Sequence, residues 1–121
     1  MTKSSDVSDL EQLRNRLRDF AAERDWDQFH SPKNLAMALS AESAELLEIF
    51  QWLTEDESRA LSAEAKAAAA DEIADVLLYL IRIADKLDID AVDAAHRKLA
   101  ANERKYPAGK ARGNSKKYTE L

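Results

Sequence analysis

Residues 35–53 read LAMALSAESAELLEIFQWL and residues 72–87 read EIADVLLYLIRIADKL. In both stretches apolar residues recur at three- and four-residue spacing, the period of a helix with one buried face. With Glu42 at the origin and about 100° per residue, Leu35, Leu39, Leu46, Ile49 and Leu53 fall between about −20° and +60°. Glu42 thus lies inside the apolar stripe, with Glu45 on its edge at about −60° and Trp52 beside it at about −80°. With Glu72 at the origin, Val76, Tyr79, Leu80, Ile83 and Leu87 fall between about −20° and +80°, and Asp75 at about −60°. Two helices therefore repeat one arrangement, an acid in the stripe and a second acid three residues on.

Working outward, the whole chain reads as helix. Ser8-Asp-Leu-Glu11 is a capping box, and it predicts a helix of about 16 residues with Leu10, Leu13, Leu17 and Phe20 on one face. A ring-rich loop follows, Trp26-Asp-Gln-Phe-His30, and Ser31-Pro32 restarts a helix that is expected to run to Leu53. Thr54 to Ala63 reads as a polar connector with one short helical turn. The next helix is expected over 63–87. Asp90 caps a further one, which Pro107 stops near Tyr106. The expectation is an all-α bundle of four main helices, with residues 1–107 as one domain. Residues 108–121, with Lys110, Arg112, Lys116 and Lys117, are expected to form an extended basic tail.

Composition narrows the function classes. The 121 residues include 18 Lys plus Arg against 23 Asp plus Glu, a formal charge of −5, which disfavours binding to nucleic-acid backbones. Only two Gly and two Pro argue against an all-β sandwich, and the lack of Cys excludes disulfides, thiol nucleophiles and zinc knuckles. The longest apolar run, Val76 to Ile81, is far short of the roughly 20 residues a membrane helix needs. The opening MTKSSDVSDLEQLR lacks the apolar core of a signal peptide. A cytoplasmic protein with no membrane or nucleic-acid partner is expected.

The acids carry the chemistry. A carboxylate inside an apolar layer costs several kcal/mol unless something compensates it. Two such charges about 5 Å apart repel by roughly 3 kcal/mol at an effective dielectric near 20. If the two helices pack antiparallel, Glu42, Glu45, Glu72 and Asp75 converge and the repulsion compounds. A divalent cation resolves it, and an all-oxygen ligand set selects a hard ion, Mg²⁺ or Mn²⁺. A single E-x-x-E is usually a solvated face; two pairs, each with its first acid centred in the stripe, point to metal. A di-iron site would need E-x-x-H on two helices, and neither His30 nor His96 completes one. Glu48 and Asp71 read as peripheral.

Hard cations held by a few carboxylates keep positions open for water and phosphate oxygens, so phosphoanhydride cleavage is the natural reaction. Lys98 and Asn102, at i and i+4, share a face and are candidate phosphate donors, with Arg82 as a further one. Trp26, Phe29 and Trp52 are candidates for stacking on a base with His30 nearby; plain core packing is the competing reading of the two tryptophans.

Glu42-Ser-Ala-Glu45 and Glu72-Ile-Ala-Asp75 resemble the E-x-x-E…E-x-x-D signature of MazG-like nucleotide pyrophosphohydrolases. FAAERDWDQFHSPKNL (20–35), ELLEIFQW (45–52), DEIADVLLYL (71–80), NERKYP (102–107) and KYTEL (117–121) are similar to the dCTP pyrophosphatase branch. The resemblance implies a helical bundle that hydrolyses a nucleoside triphosphate to monophosphate and pyrophosphate with Mg²⁺. By that similarity Glu42, Glu45, Glu72 and Asp75 are metal ligands and catalytic residues. Trp26, Asp27, Gln28, Phe29 and His30, with Trp52, form the base pocket, Tyr79 faces the sugar, and Asp75 is also a substrate-binding residue. Lys98 and Asn102, with Tyr106, hold phosphate oxygens. Leu17 stands near the position where eukaryotic relatives carry a base-contacting His. Pool sanitation, the removal of modified or excess deoxynucleotides such as dCTP, is the role this suggests.

Met37 and Leu47 lie opposite the Glu42 stripe, and Leu77, Leu78 and Ile81 opposite the Glu72 stripe. Helices apolar on two sides are buried on two sides, so a homo-oligomer is expected, and the resemblance favours a dimer-based tetramer. Two other readings stand beside this one: the same superfamily acting on dUTP or phosphoribosyl-ATP, and a non-catalytic helical interaction module whose acids meet basic residues of a partner.

Overall fold

Each of the first five α-helices begins where a short polar side chain caps its first amides. In the computed structural model, which describes residues 7–121, Ser8 Oγ accepts from the Glu11 amide at 3.2 Å and Glu11 Oε1 from the Ser8 amide at 3.0 Å. This closes the expected capping box at the head of α1 (Asp9–Glu23). Residues 1–6, which open the segment read for a signal peptide and the expected domain, lie outside the described residues. Asp25 takes a positive φ of 54° and reverses the chain into a 3-10 turn, Asp27–Phe29. Ser31 then caps α2 (Pro32–Phe50), with Pro in the first turn where no amide partner is needed.

α2 ends three residues before the expected Leu53. The cause is the next cap. Thr54 must be extended (φ −75°, ψ 167°) to accept the Glu57 amide at 3.1 Å, while Glu57 Oε1 accepts the Thr54 amide at 2.9 Å. That second capping box starts α3 (Glu55–Arg59), the short turn expected in the connector. Ser62 caps α4 (Ala63–Lys86), and Asp90 caps α5 (Ala91–Lys105), both close to the expected bounds. No strand occurs among the described residues, and four of the six helices are long.

Contacts group the chain into two compact units, one running to Asp88 and one from Ile89 to Leu121. In the first, α2 packs along α4 and α1 packs on α4. Among its described residues, Ala21, Leu35, Ala69 and Ile81 are the buried apolar ones, and Arg82 is the one buried charged residue. The burial corrects the sequence reading of α4. Ile81, expected on the outer side, is only 4 % exposed, whereas Leu80 and Leu87, expected in the stripe, are exposed. α1 supplies the missing cover, meeting Leu78 around a cavity and turning the buried sector of α4 towards Ile81 and Arg82. Met37, Leu47 and Leu77 remain exposed as expected of an outer side.

In the second unit, the stretch expected to be extended contains two helical turns, α6 (Ala108–Ala111) and a 3-10 turn at Tyr118–Glu120. An aromatic contact fixes the fold-back. The Tyr118 ring meets Tyr106 edge-on at 6.1 Å, and Lys105 Nζ lies 5.0 Å from the Tyr118 ring centroid.

Candidate active site

α2 packs along α4, and the acids meet where the middle of α2 lies against the first half of α4. One carboxylate oxygen from each of Glu42, Glu45 and Glu72 lies within 4.8 Å of the others. Glu42 Oε2 and Glu72 Oε2 are buried and accept no hydrogen bond. Buried acceptors are normally paired, because leaving one unpaired costs about 1–3 kcal/mol. Among the described residues no Lys or Arg forms an ion pair with Glu42, Glu45 or Glu72. Asp75, one turn beyond Glu72, is outside the trio, although its charge acts on both Glu42 and Glu72.

The crowding shows in the titration of the group. The Glu42 carboxyl is pushed up to about 7, first by sharing a proton with Glu45, then by burial and by the charges of Glu45, Asp75 and Glu72. Glu72 is also raised, by burial first and the Glu45 charge next. An oxygen-only trio with two orphaned acceptors fits a hard divalent cation, and the donors are those Mg²⁺ takes.

Asp75 also lines a cavity of about 500 Å³ formed by α1, by Trp26 and His30 on either side of the 3-10 turn, and by α4. Leu13, Leu17, Phe20 and Leu78 form its apolar wall, and Trp26, His30, Tyr79 and Arg82 its ring and polar side. Phe20 and Trp26 meet edge-on at 5.6 Å, and Trp26 and His30 are tilted at 6.4 Å. The volume falls in the range of small-ligand pockets, about 300–1,000 Å³. Sequence reasoning named Trp26, His30, Asp75 and Tyr79, and the structure brings these four together. Of the α1 wall it singled out only Leu17, through the resemblance; Leu13 and Phe20 were read as an apolar face without a partner and Arg16 not at all, because nothing in a single amphipathic helix says which neighbour it faces.

Other expected binding residues stand elsewhere. Trp52 is 87 % exposed just past the end of α2, and Phe29 is exposed; neither lines the cavity. Gln28 Nε2 donates to Asp25 at its carbonyl (3.0 Å) and its Oδ2 (2.9 Å). Asp27 is occupied by Arg82 Nη2 and Lys86 Nζ, each at 2.6 Å, and the hydrogen bond from Lys86 leads the effects that hold its carboxyl below the usual range. Arg82, read above as a candidate phosphate donor, is 5 % exposed and committed to Asp27 and His30, so that reading is corrected. Lys98 and Asn102 lie one turn apart on α5, and Tyr106 follows its end, all in the second unit.

Arg82 Nε–H donates to His30 Nδ1 at 3.1 Å. Burial first, and the Arg82 charge second, hold His30 below its ordinary pKa. Behind this pair, Arg18 Nε donates to Asp85 Oδ2 at 2.7 Å, tying α1 to α4. The signal for this network was legible: Arg82 interrupts an apolar run, and a buried guanidinium requires an acid.

The MazG-like family matches residues 37–121. The human protein dCTP pyrophosphatase 1 is 46 % identical over 114 residues, covering 93 % of this chain and 67 % of the human one. The bovine protein of the same name is 43 % identical over the same length. A solved pyrophosphatase from Archaeoglobus fulgidus is similar with a TM-score of 0.80 and 43 % identity, over 88 % of this chain and 99 % of that one.

Proposed function

Because the chain belongs to the MazG-like family, we propose that it is a metal-dependent nucleoside triphosphate pyrophosphohydrolase acting on a deoxynucleotide, with dCTP or a modified dCTP favoured. The observation that carries this is the acid trio Glu42, Glu45 and Glu72, with two buried oxygens left without a partner, beside a ring-lined cavity that Asp75 also lines. Relatives named dCTP pyrophosphatase 1 support the choice of base.

Water adds to the triphosphate and the anhydride bond between the α- and β-phosphates breaks, giving dNMP and pyrophosphate. Glu42, Glu72 and Asp75, with Glu45 at the rim, would hold Mg²⁺, with Mn²⁺ as a substitute. When bound, such an ion polarises phosphate oxygens and lowers the pKa of nearby water. Glu45 is the exposed member of the trio and takes the proton from the attacking water, as a positioned carboxylate can. Trp26 and His30 receive the base, and Tyr79 faces the sugar. Lys98, Asn102 and Tyr106 are the phosphate contacts proposed from the resemblance.

Exposed Met37, Leu47, Leu77 and Trp52 support a homo-oligomer, a dimer-based tetramer, in which Trp52 completes a neighbour's base site. A monomer by light scattering at micromolar concentration would sink that assembly. No described helix is long and apolar enough to cross a membrane, and a cytoplasmic role in nucleotide-pool sanitation is the setting we propose.

The test is a triphosphate panel of common and 5-modified dNTPs plus rNTPs, with and without Mg²⁺, with pyrophosphate and phosphate detected separately. Pyrophosphate release from a deoxycytidine triphosphate, lost without metal and in Glu42→Gln, is expected. A different best base would overturn the substrate and keep the reaction. No turnover and no Mg²⁺-induced thermal shift would overturn the enzyme reading in favour of an interaction module.

A further inference from the structure

Arg82 stands in the apolar side of α4 at 5 % exposure. Burying a guanidinium is costly, and the charge is answered by Asp27 at 2.6 Å and by Asp85 at 3.8 Å. Those two acids account for the charge. They do not account for the third contact, from Arg82 Nε–H to His30 Nδ1 at 3.1 Å.

That contact carries directional information. A guanidinium has only donors, so the His30 nitrogen facing it must offer a lone pair. The imidazole proton is therefore on Nε2, and a second cation beside Arg82 is disfavoured, in keeping with the lowered His30 pKa. His30 Nε2 has no hydrogen-bond partner among the described residues, and the ring lines the cavity together with Trp26 and Tyr79.

We infer that Arg82 is a positioning residue that fixes the proton of His30 on Nε2, so that the cavity offers an N–H donor to a ring carbonyl of a pyrimidine base. This rests on the reading of the cavity as the base site. A neutral imidazole free to exchange tautomers offers that donor only part of the time. Arg82 removes the alternative before substrate arrives, and Asp27 in turn fixes Arg82. The carbonyl oxygen O2 of cytosine or uracil accepts such a bond, whereas adenine has no carbonyl to accept it.

The experiment is long-range ¹H–¹⁵N correlation NMR of His30 in the free protein, wild type against Arg82→Lys. The lysine keeps a positive charge for Asp27 and lacks the N–H that faces Nδ1. The expected result is an unprotonated Nδ1 in the wild type, a mixed tautomer in Arg82→Lys, and a rise in KM for dCTP of about twofold with kcat little changed, the reciprocal of a donor tautomer present about half the time. A merely structural arginine would be rescued by lysine in both readouts, and that result overturns the inference. A wild-type His30 protonated on Nδ1 overturns it as well. If Arg82→Lys does not fold, His30→Gln and His30→Asn replace it. A glutamine amide reaches the place of Nε2 and an asparagine amide that of Nδ1, so Gln is expected to keep the KM and Asn to raise it; the reverse order refutes the donor role. The tautomer is read without nucleotide. A chain that turns over no triphosphate therefore breaks the proposed activity, while the spectrum still decides on Arg82.

Discussion

The two halves of α4 treat charge in opposite ways. In the first half, Glu72 and Asp75 face Glu42 and Glu45, acids against acids, with two buried oxygens left without a partner. In the second half, Arg82, Asp85 and Lys86 are matched by Asp27, His30 and Arg18 at hydrogen-bonding distance. One helix thus carries a charge set that is complete and one that is not. The complete set orders the α1–α2 turn and the cavity wall. The incomplete set raises the energy of the folded chain unless a cation joins it, which is how a metal site differs from an ion-pair network built of the same residue types.

Removing one charge from each half sharpens the contrast. Glu72→Gln relieves repulsion, so the metal-free chain should melt at a higher temperature than the wild type, while activity falls about a hundredfold or more, as for loss of a positioned catalytic carboxylate. Asp27→Ala does the reverse. It strands the buried Arg82 beside a more distant Asp85 and should lower the melting temperature, while the stabilisation by Mg²⁺ is kept. Melting curves of both variants with EDTA and with Mg²⁺ check this. A metal-free Glu72→Gln that melts below the wild type would show that the trio is a satisfied structural cluster, and the contrast would collapse.

The same contrast explains what was legible. Glu42 and Glu72 were found by angle alone, because an acid centred in an apolar stripe is anomalous within its own helix. The helix starts were legible for a similar reason, since Ser8, Ser31 and Asp90 act on amides within one turn. The end of α2 was misread because the Thr54–Glu57 box overrides an apolar pattern that continues to Leu53. The cavity was only half legible. Trp26 and His30 lie in one loop, but Leu13, Leu17 and Leu78 become its wall only when α1 and α4 meet. Ile81 was assigned to the wrong side of α4 for that reason, since one helix's moment cannot say that two helices cover it.

The smallest effect is a slope with pH, and it separates the halves because their titrations run in opposite directions. Glu42 has a folded pKa of about 7 against an ordinary 4.5. Between these values the unfolded chain releases a proton that the folded chain keeps, so the metal-free fold loses stability as pH rises from 4.5 to about 7. Glu72 acts in the same sense. His30, lowered from 6.5, acts in the opposite one: the unfolded chain takes up a proton that the folded ring resists, so stability falls as pH drops below 6.5. The two contributions overlap and partly cancel in a plain melting curve. The difference between curves with Mg²⁺ and with EDTA removes the His30 part, which is common to both, and leaves the acids. Metal binding requires the ionised carboxylates, so that difference should widen with pH across the Glu42 window and level off above it. A gap that stays constant from pH 4.5 to about 7 would mean that protons and metal do not compete for these oxygens, and the acid half of α4 would then be as complete as the other.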